Sequence, residues 1–140
     1  MENKDDLYYD AMECLEKARE AITKAYEETL KKFKKWPKKL PWGFLKNRAY
    51  LRALQHRADL FWDDGENEET IKIFRLLLKL NPNDNQGVRY EISALYAGIS
   101  SDKLNEMFDE GNAKQNWDKL HKLVEKQNSK HNFFIYSTNR

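Results

Sequence analysis

Few residues in this sequence have the types and spacing that catalysis needs. The three histidines, His56, His121 and His131, fall in separate segments, and no HExxH or CxxC motif occurs. His56 and Asp59 are neighbours on a predicted helix, but no nucleophile accompanies them. No glycine-rich phosphate loop is present. We therefore predict a protein that is not an enzyme and that has no metal site and no cofactor.

The second candidate functional feature is a basic stretch with interleaved aromatic residues, which could bind a partner. Residues 29–58 contain ten Lys and Arg residues and no acid. Proteins that bind single-stranded nucleic acid combine phosphate neutralisation with stacking of bases on aromatic rings. An acidic protein partner suits the same charges, and lysines at a helix end also complement the helix dipole in solvent. The candidate basic patch within residues 31–57 is Lys31, Lys32, Lys34, Lys35, Lys38 and Lys39.

Length and composition narrow the class of protein. A chain of 140 residues suits one domain, and a total of eight Gly and Pro residues with 34% charged residues favours a helical protein. The single cysteine, Cys14, excludes an internal disulfide; we expect a buried, inert thiol beside an apolar helix stripe. No apolar run is long enough for a membrane span, and MENKDD lacks a signal-peptide core. We expect a soluble, cytoplasmic protein without a membrane partner.

Apolar spacing predicts a long first helix. From Leu7 to Trp36, apolar residues recur every three or four positions, on one helix face, until Pro37 stops the helix. We expect this helix, residues 5–36, to lie against other helices along its stripe. The same spacing also suits a dimer seam, so that a monomer and a weak homodimer both remain open.

Two further helices follow a linker. Residues 37–46 contain two prolines and a glycine, but Trp42, Phe44 and Leu45 are apolar enough that we expect the linker to pack on the body. The second helix is predicted to begin near Asn47 as its N-cap and to end at Asp63. The third is predicted from Asn67 to Leu80, so that residues 47–80 form a helical hairpin.

The stretch LLLKLNPNDNQGVRY marks a boundary between two hairpins. Pro82 ends the third helix, Asn83 is a candidate N-cap, and Gln86 stands three residues later as in a capping box. We predict a fourth helix from about Asp84 to Ala97. A fifth helix is predicted to begin at Ser101 and to be ended by Gly111. Residues 84–110 thus form a second hairpin.

The C-terminal part is predicted to contain a sixth helix and a tail. Asn116 is a candidate cap for a helix over residues 116–128, with Trp117, Leu120 and Leu123 on its apolar side. The segment NFFIYSTNR suits either a docked tail or a short extended segment. The conformation of residues 129–140 is therefore left open.

Residues 51–84 resemble a tetratricopeptide repeat (TPR), a helix–turn–helix unit of 34 residues. The small residue Ala58, the aromatic residues Phe61 and Phe74, and Pro82 stand at the repeat's pattern positions, and Leu54 replaces its Trp. Arg57 and Thr70 depart from the pattern, and Arg57 must either extend its head outward or pair with an acid of the first helix.

Residues 85–110 resemble a degenerate second repeat, and the whole sequence resembles a subgroup of bacterial TPR-like proteins of undefined function. The resemblance implies one all-α domain over residues 1–140. Its fold would be a TPR-like superhelix, a short solenoid of about six helices whose first and last helices cap the stack.

The resemblance also implies a scaffold that binds a protein or peptide in a concave groove. The groove candidates it places on the second and fourth helices are Arg52, Gln55, Asp59, Trp62, Gln86, Arg89, Ser93 and Tyr96. Asp59 in this set argues against a clamp for a C-terminal carboxylate. Arg89 suits either a ligand carboxylate or a nearby acid, and Trp62 suits either a partner anchor or packing on the first helix.

Overall fold

A computed structural model describes residues 4–136 of the chain. Within this range the regular structure is entirely helical, which confirms the all-α class. The six helices are α1 (Lys4–Lys32), α2 (Leu45–Asp63), α3 (Asn67–Leu80), α4 (Val88–Tyr96), α5 (Ser101–Lys114) and α6 (Asp118–His131).

The main core lies where α2, α3 and α4 pack together. Phe74 of α3 is fully buried among leucines of α2 and α3, and Val88 and Ile92 of α4 close the cluster. A second, smaller cluster of Ala94, Leu104 and Leu120 joins α4 to α5 and α6. Helix α4 therefore belongs to both clusters and connects the two parts of the structure.

Helix α1 runs antiparallel to α2 and extends beyond its end. Successive contacts are Phe33–Tyr50 between rings, Arg57 over the ring of Tyr26, and an ion pair of 2.7 Å from Arg19 to Asp64 just after α2. Within the described part of the chain, Lys4 to Ala18 have no such partner helix beside them. We call residues 4–18 the α1 arm.

The predicted burial of the first helix is wrong for the α1 arm. Leu7 and Leu15 are 55% and 58% exposed because α2 ends before it reaches them. Cys14 is also exposed rather than buried. The helix ends at Lys32, four residues before the predicted end, and Phe33 and Trp36 stack on each other in the segment that follows.

The linker before α2 packs only in part. Leu40 is buried, and its amide donates to the carbonyl of Leu80 at 2.8 Å. In contrast, Phe44 and Leu45 are 67% and 74% exposed, contrary to expectation. Helix α2 begins at Leu45, so the predicted N-cap is also wrong. Asn47 lies inside the first turn, and its side-chain amide donates to the carbonyl of Pro41.

The guanidinium of Arg57 stacks on aromatic rings instead of pairing with an acid of the first helix. Its guanidinium carbon lies 3.8 Å from the ring centroid of Phe61 and 6.0 Å from that of Tyr26. Its Nε is buried and has no hydrogen-bond partner. Cation–π contacts therefore hold this side chain between α1 and α2.

Helix α3 has its predicted bounds, but the connection to α4 differs from the prediction. Asp84 caps α4 in place of Asn83, because its Oδ1 accepts from the amide of Val88 at 2.8 Å. Asp84 and Gly87 have φ of 51° and 72°, and these left-handed residues keep the chain out of the helix until Val88. Helix α4 therefore begins four residues later than predicted.

The end of α5 also differs from the prediction. Gly111 is a buried residue inside α5, which continues to Lys114, and the indole of Trp117 lies against its Cα. Asn116 does act at the start of α6, since its Oδ1 accepts from the amide of Asp118 at 3.0 Å. Helix α6 continues to His131, three residues beyond its predicted end.

The described part of the tail docks without regular structure. Phe134 is buried, and the Asn128 side chain accepts from the amides of Phe133 and Phe134 and donates to the carbonyl of Phe134. The predicted tail residues 137–140 lie outside the described residues.

Candidate functional site

A cavity of about 400 Å³ opens between the end of α2, the start of α4 and one face of α5. We call it the α2–α5 cavity. Its lining combines aromatic, acidic and amide side chains: Trp62, Gln86, Tyr90, Glu91, Asn105 and Phe108. Its volume falls within the range of small-molecule and side-chain pockets.

Two glutamines join α2 to the segment that precedes α4. Gln55 Nε2 donates to Glu91 Oε1 at 2.6 Å and to the carbonyl of Gln86 at 3.2 Å. Gln86 Nε2 donates to Gln55 Oε1 at 2.8 Å and to the carbonyl of Leu51 at 3.2 Å. Gln86 therefore does not form the predicted capping box. The paired amides instead fix the position of Glu91 at the cavity wall.

Glu91 and Asp59 form a carboxyl pair across α2 and α4. Burial raises the pKa of Glu91 to about 10, and the hydrogen bond to Asp59 adds to this shift. Burial also raises the pKa of Asp59. Asp59 Oδ1 is buried without a hydrogen-bond partner among the described polar groups. Since ionisation of both carboxyls would place two like charges together in a buried position, the pair favours a shared proton.

Aromatic rings form the walls beside this carboxyl pair. The ring of Trp62 meets Phe74 of the core edge-on at a centroid distance of 6.2 Å, while another part of the side chain lines the cavity. Tyr90 meets Phe108 in the same manner at 5.3 Å. These contacts anchor the rings to the core and fix the shape of the cavity.

Of the eight predicted groove residues, the structure brings four together: Gln55, Asp59, Trp62 and Gln86. Arg52 lies farther along α2, where it and Arg48 cover the ring of Trp42 at 5.2 Å and 5.0 Å. Arg52 is exposed and borders the linker rather than the cavity.

The structure places three predicted groove residues of α4 away from the α2–α5 cavity. Arg89 pairs with Asp84 at 2.9 Å and lines a separate cavity of about 280 Å³ beside Phe134. Ser93 is fully buried and donates to the carbonyl of Arg89 at 2.6 Å. Tyr96 stacks on His131 of α6 at 3.8 Å. Arg89 therefore lies beside Phe134 of the tail, and Tyr96 lies against α6.

Tyr90, Glu91 and Phe108 are cavity residues that the sequence reasoning missed. Glu91 was detectable in principle, since it is an acid placed between the apolar positions Val88 and Ile92. Its role depends on which side of α4 faces α2, and that side is set by the left-handed residues before the helix. The contribution of Phe108 depends on how α5 packs, which short-range spacing does not define.

The lysines of the basic patch differ in exposure from the aromatic side chains near them. All six lysines, Lys31, Lys32, Lys34, Lys35, Lys38 and Lys39, are exposed. The aromatic rings beside them are engaged: Phe33 packs on Trp36 and Tyr50, and Trp42 lies under two arginines. The lysines of the patch are thus accessible to a partner, whereas these four rings already have contacts within the chain.

Neither a cluster of metal ligands nor a membrane-spanning helix occurs within residues 4–136. No group of three or more His, Cys, Asp or Glu side chains in this range is arranged to hold a metal ion. No helix in the same range has the length and apolar character to cross a bilayer.

Comparison of the chain with family models, with curated proteins and with solved structures found no match.

Proposed function

We propose that this protein is a non-catalytic scaffold that binds a protein or peptide, and that the α2–α5 cavity receives one basic side chain of that partner. In this proposal, α2–α3 and α4–α5 act as two TPR-like hairpins whose first helices border the binding face. The observation that carries it is the buried Glu91–Asp59 pair beside the aromatic walls of the cavity.

The chemistry of the cavity favours an Arg or Lys side chain. A cation interacts favourably with the ring of Trp62, and its charge is neutralised by a carboxylate at the cavity wall. An apolar side chain would satisfy the rings but would leave the carboxyl pair unchanged. An acidic side chain would add a further negative charge beside the carboxyl pair, which is unfavourable.

A bound cation should displace the proton that the carboxyl pair holds. Near pH 7 Glu91 is protonated in the free protein, because its pKa is raised to about 10. A guanidinium or ammonium group favours the ionised form, so that binding lowers this pKa and releases a proton. Proton release on binding distinguishes the proposed site from a neutral groove.

The test uses short synthetic peptides that carry Arg, Lys or Gln at one central position. We expect the Arg and Lys peptides to bind at least tenfold more tightly than the Gln peptide. Isothermal titration in phosphate and in Tris buffer, which differ in ionisation enthalpy, should show the release of about one proton. Equal affinity for all three peptides would contradict the proposal.

Substitutions locate the binding in the cavity. Trp62→Ala and Glu91→Gln should each weaken the binding of the Arg peptide about tenfold or more, and Glu91→Gln should also remove the proton release. Glu106→Gln is the matched control, because Glu106 is exposed on α5 and does not line the cavity. Affinity capture from the native host with the wild type and the same variants then isolates the natural partner.

A nucleic-acid-binding role for residues 31–57 is the second candidate, and the exposure of all six lysines favours it. Phosphate contacts weaken steeply with salt, so that binding of single-stranded oligonucleotides should fall at least tenfold between 50 and 200 mM salt for several contacts. Replacement of Lys34, Lys35, Lys38 and Lys39 by Gln should abolish this binding. The peptide affinity of the cavity should be unaffected by these changes.

A further inference from the structure

Two neighbouring apolar side chains lie in solvent where the linker enters α2. Phe44 and Leu45 are 67% and 74% exposed. The backbone around them is held in a turn, because the carbonyl of Pro41 accepts from the amide of Phe44 at 3.3 Å and from the side-chain amide of Asn47 at 3.0 Å. A partner therefore meets both apolar side chains without first ordering this part of the chain. We call residues 41–48 the linker tip.

Cations of α2 lie at the linker tip. Lys46 follows Leu45 directly and is exposed. Arg48 Nε donates to the carbonyl of Trp42 at 2.8 Å, and the guanidinium carbons of Arg48 and Arg52 lie 5.0 Å and 5.2 Å from the centroid of its ring. The first turn of α2 contains no acid. The two arginines are thus held near the exposed apolar pair, and no carboxylate of that turn neutralises them.

The ends of α1 and α3 bring further cations to the same part of the surface. The ring of Phe33, just after α1, meets Tyr50 of α2 edge-on at a centroid distance of 4.9 Å, so that the lysines of the basic patch lie near the start of α2. The amide of Leu40 donates to the carbonyl of Leu80 at 2.8 Å, which places the exposed Lys79 close to the linker. Since residues 29–58 contain no acid, the linker tip lies within a surface of strongly positive charge.

We propose that the linker tip binds the surface of an anionic lipid bilayer, with Phe44 and Leu45 inserted at the boundary between headgroups and acyl chains. Proteins bind such surfaces by burying apolar side chains at this boundary while Lys and Arg attract the anionic lipids. This mode of binding needs no helix that crosses the bilayer. The expectation of no membrane partner rested on the lack of a spanning segment and of a signal-peptide core, so it does not bear on the bilayer surface.

A nucleic acid would use the same lysines but different apolar contacts. Bases stack on the faces of aromatic rings, and Phe33 and Trp42 beside the lysines already have contacts within the chain. Phe44 suits either ligand. Leu45 is aliphatic and offers no ring to a base, whereas burial in hydrocarbon is favourable for it. The exposure of Leu45 among the cations therefore favours lipid over nucleic acid.

The first test measures binding of the full-length chain to vesicles by flotation at increasing lipid concentration. Neutral vesicles contain phosphatidylcholine alone, and anionic vesicles contain equal parts of phosphatidylcholine and phosphatidylserine. We expect binding to the anionic vesicles to be tighter by about tenfold or more, and to weaken as salt screens the charges. Equal binding to both kinds of vesicle, or binding to neither, would overturn the proposal.

Substitution of Leu45 separates lipid from nucleic acid. Leu45→Ser should weaken binding to the anionic vesicles about tenfold, while any binding of a single-stranded oligonucleotide should stay unchanged. Leu7→Ser is the matched control, because Leu7 is an exposed leucine of the α1 arm, and it should bind vesicles as the wild type does. Circular dichroism verifies that both variants stay folded. Unchanged vesicle binding in Leu45→Ser, or a loss of oligonucleotide binding in its place, contradicts the proposal.

Insertion of the linker tip is measured with an environment-sensitive dye. In a Cys14→Ser background, the dye is attached to Leu45→Cys or, as the control, to Leu7→Cys. We expect the emission from position 45 to shift to shorter wavelength on anionic vesicles, because the dye moves from water into a less polar environment, while the emission from position 7 stays constant. A protein that binds the vesicles with the dye at position 45 still in water adsorbs by charge alone, which contradicts the insertion of Leu45.

Discussion

Asp84 accepts hydrogen bonds from both the backbone amide and the guanidinium of Arg89, each at 2.9 Å, through the same carboxylate oxygen. Its other oxygen caps α4 at the amide of Val88. One buried carboxylate thus begins the helix and neutralises a partly buried arginine. Since α4 carries Glu91, this residue also determines the orientation of the candidate site.

Replacement of Asp84 should therefore destabilise the protein strongly. Asp84→Ala removes the cap and leaves Arg89 without its ion partner, for which we expect a loss of about 2–4 kcal/mol in the free energy of unfolding. Asp84→Asn keeps an acceptor for Val88 and tolerates the positive φ, so that it should cost about 1–2 kcal/mol. Urea unfolding measures both values.

Asn83→Ala provides the control for this prediction. Asn83 is exposed, and its substitution should change stability by no more than about 0.5 kcal/mol. A large loss of stability in Asn83→Ala together with a small loss in Asp84→Ala would contradict the prediction, because it would show that Asn83 and not Asp84 caps α4.

The carboxyl pair predicts a pH dependence of stability. Because the pKa of Glu91 is raised to about 10 in the folded state, the folded protein binds one more proton than the unfolded chain above the ordinary carboxyl range. Stability is then present at low pH and is lost as the pH rises toward 10, by up to about 1.4 kcal/mol per pH unit. Asp59, whose pKa is also raised, acts in the same direction.

Glu91→Gln should remove most of this dependence, because glutamine imitates the protonated carboxyl and does not ionise. We expect the variant to be close to the wild type at pH 5 and more stable than it at pH 9. Urea unfolding at pH 5, 7 and 9 measures the slope, with Glu106→Gln as the exposed control. Identical slopes for wild type and Glu91→Gln would show that the pair holds no extra proton.

Gly111 should resist substitution although it lies in a helix. A Cβ at this position would lie 2.8 Å from Cδ1 of Trp117 and 3.2 Å from the carbonyl of Asn116. Gly111→Ala must displace the indole that packs between α5 and α6, and we expect a loss of about 1–3 kcal/mol. Asn112→Ala is exposed and should be neutral or slightly stabilising, as alanine favours helices. Thermal unfolding of both variants tests the difference.

Local signals in the sequence were sufficient for some of the helix bounds. The bounds of α3 followed from Asn67 and Pro82, and the end of α4 followed from Gly98, which has a positive φ. Spacing also identified the stripe of α1. It did not reveal that α2 is too short to cover the first half of that stripe, since this depends on where two distant segments end relative to each other.

The candidate site was predictable on α2 but not on α4. Gln55, Asp59 and Trp62 follow helical spacing on one face. Trp62 lines the cavity, and Gln55 and Asp59 both contact Glu91. On α4, the prediction assumed a start at Asp84, while the left-handed conformation of Asp84 delays the helix to Val88. Arg89 instead pairs with Asp84, and Tyr96 stacks on His131 of α6, a contact that depends on a distant segment of the chain.

Substitutions of Arg57 separate the contribution of its packing on Phe61 to stability from the contribution of its charge. Its guanidinium lies over Phe61, while its buried Nε lacks a hydrogen-bond partner, so that a favourable ring contact is offset by the desolvation of a polar group. Leucine at this position retains the apolar contact and removes the unpaired donor. We therefore expect Arg57→Leu to remain within about 1 kcal/mol of the wild type and Arg57→Ala to lose about 1–2 kcal/mol. Urea unfolding measures both; a loss as large for leucine as for alanine would mean that the charge, and not the packing, stabilises the contact between α1 and α2.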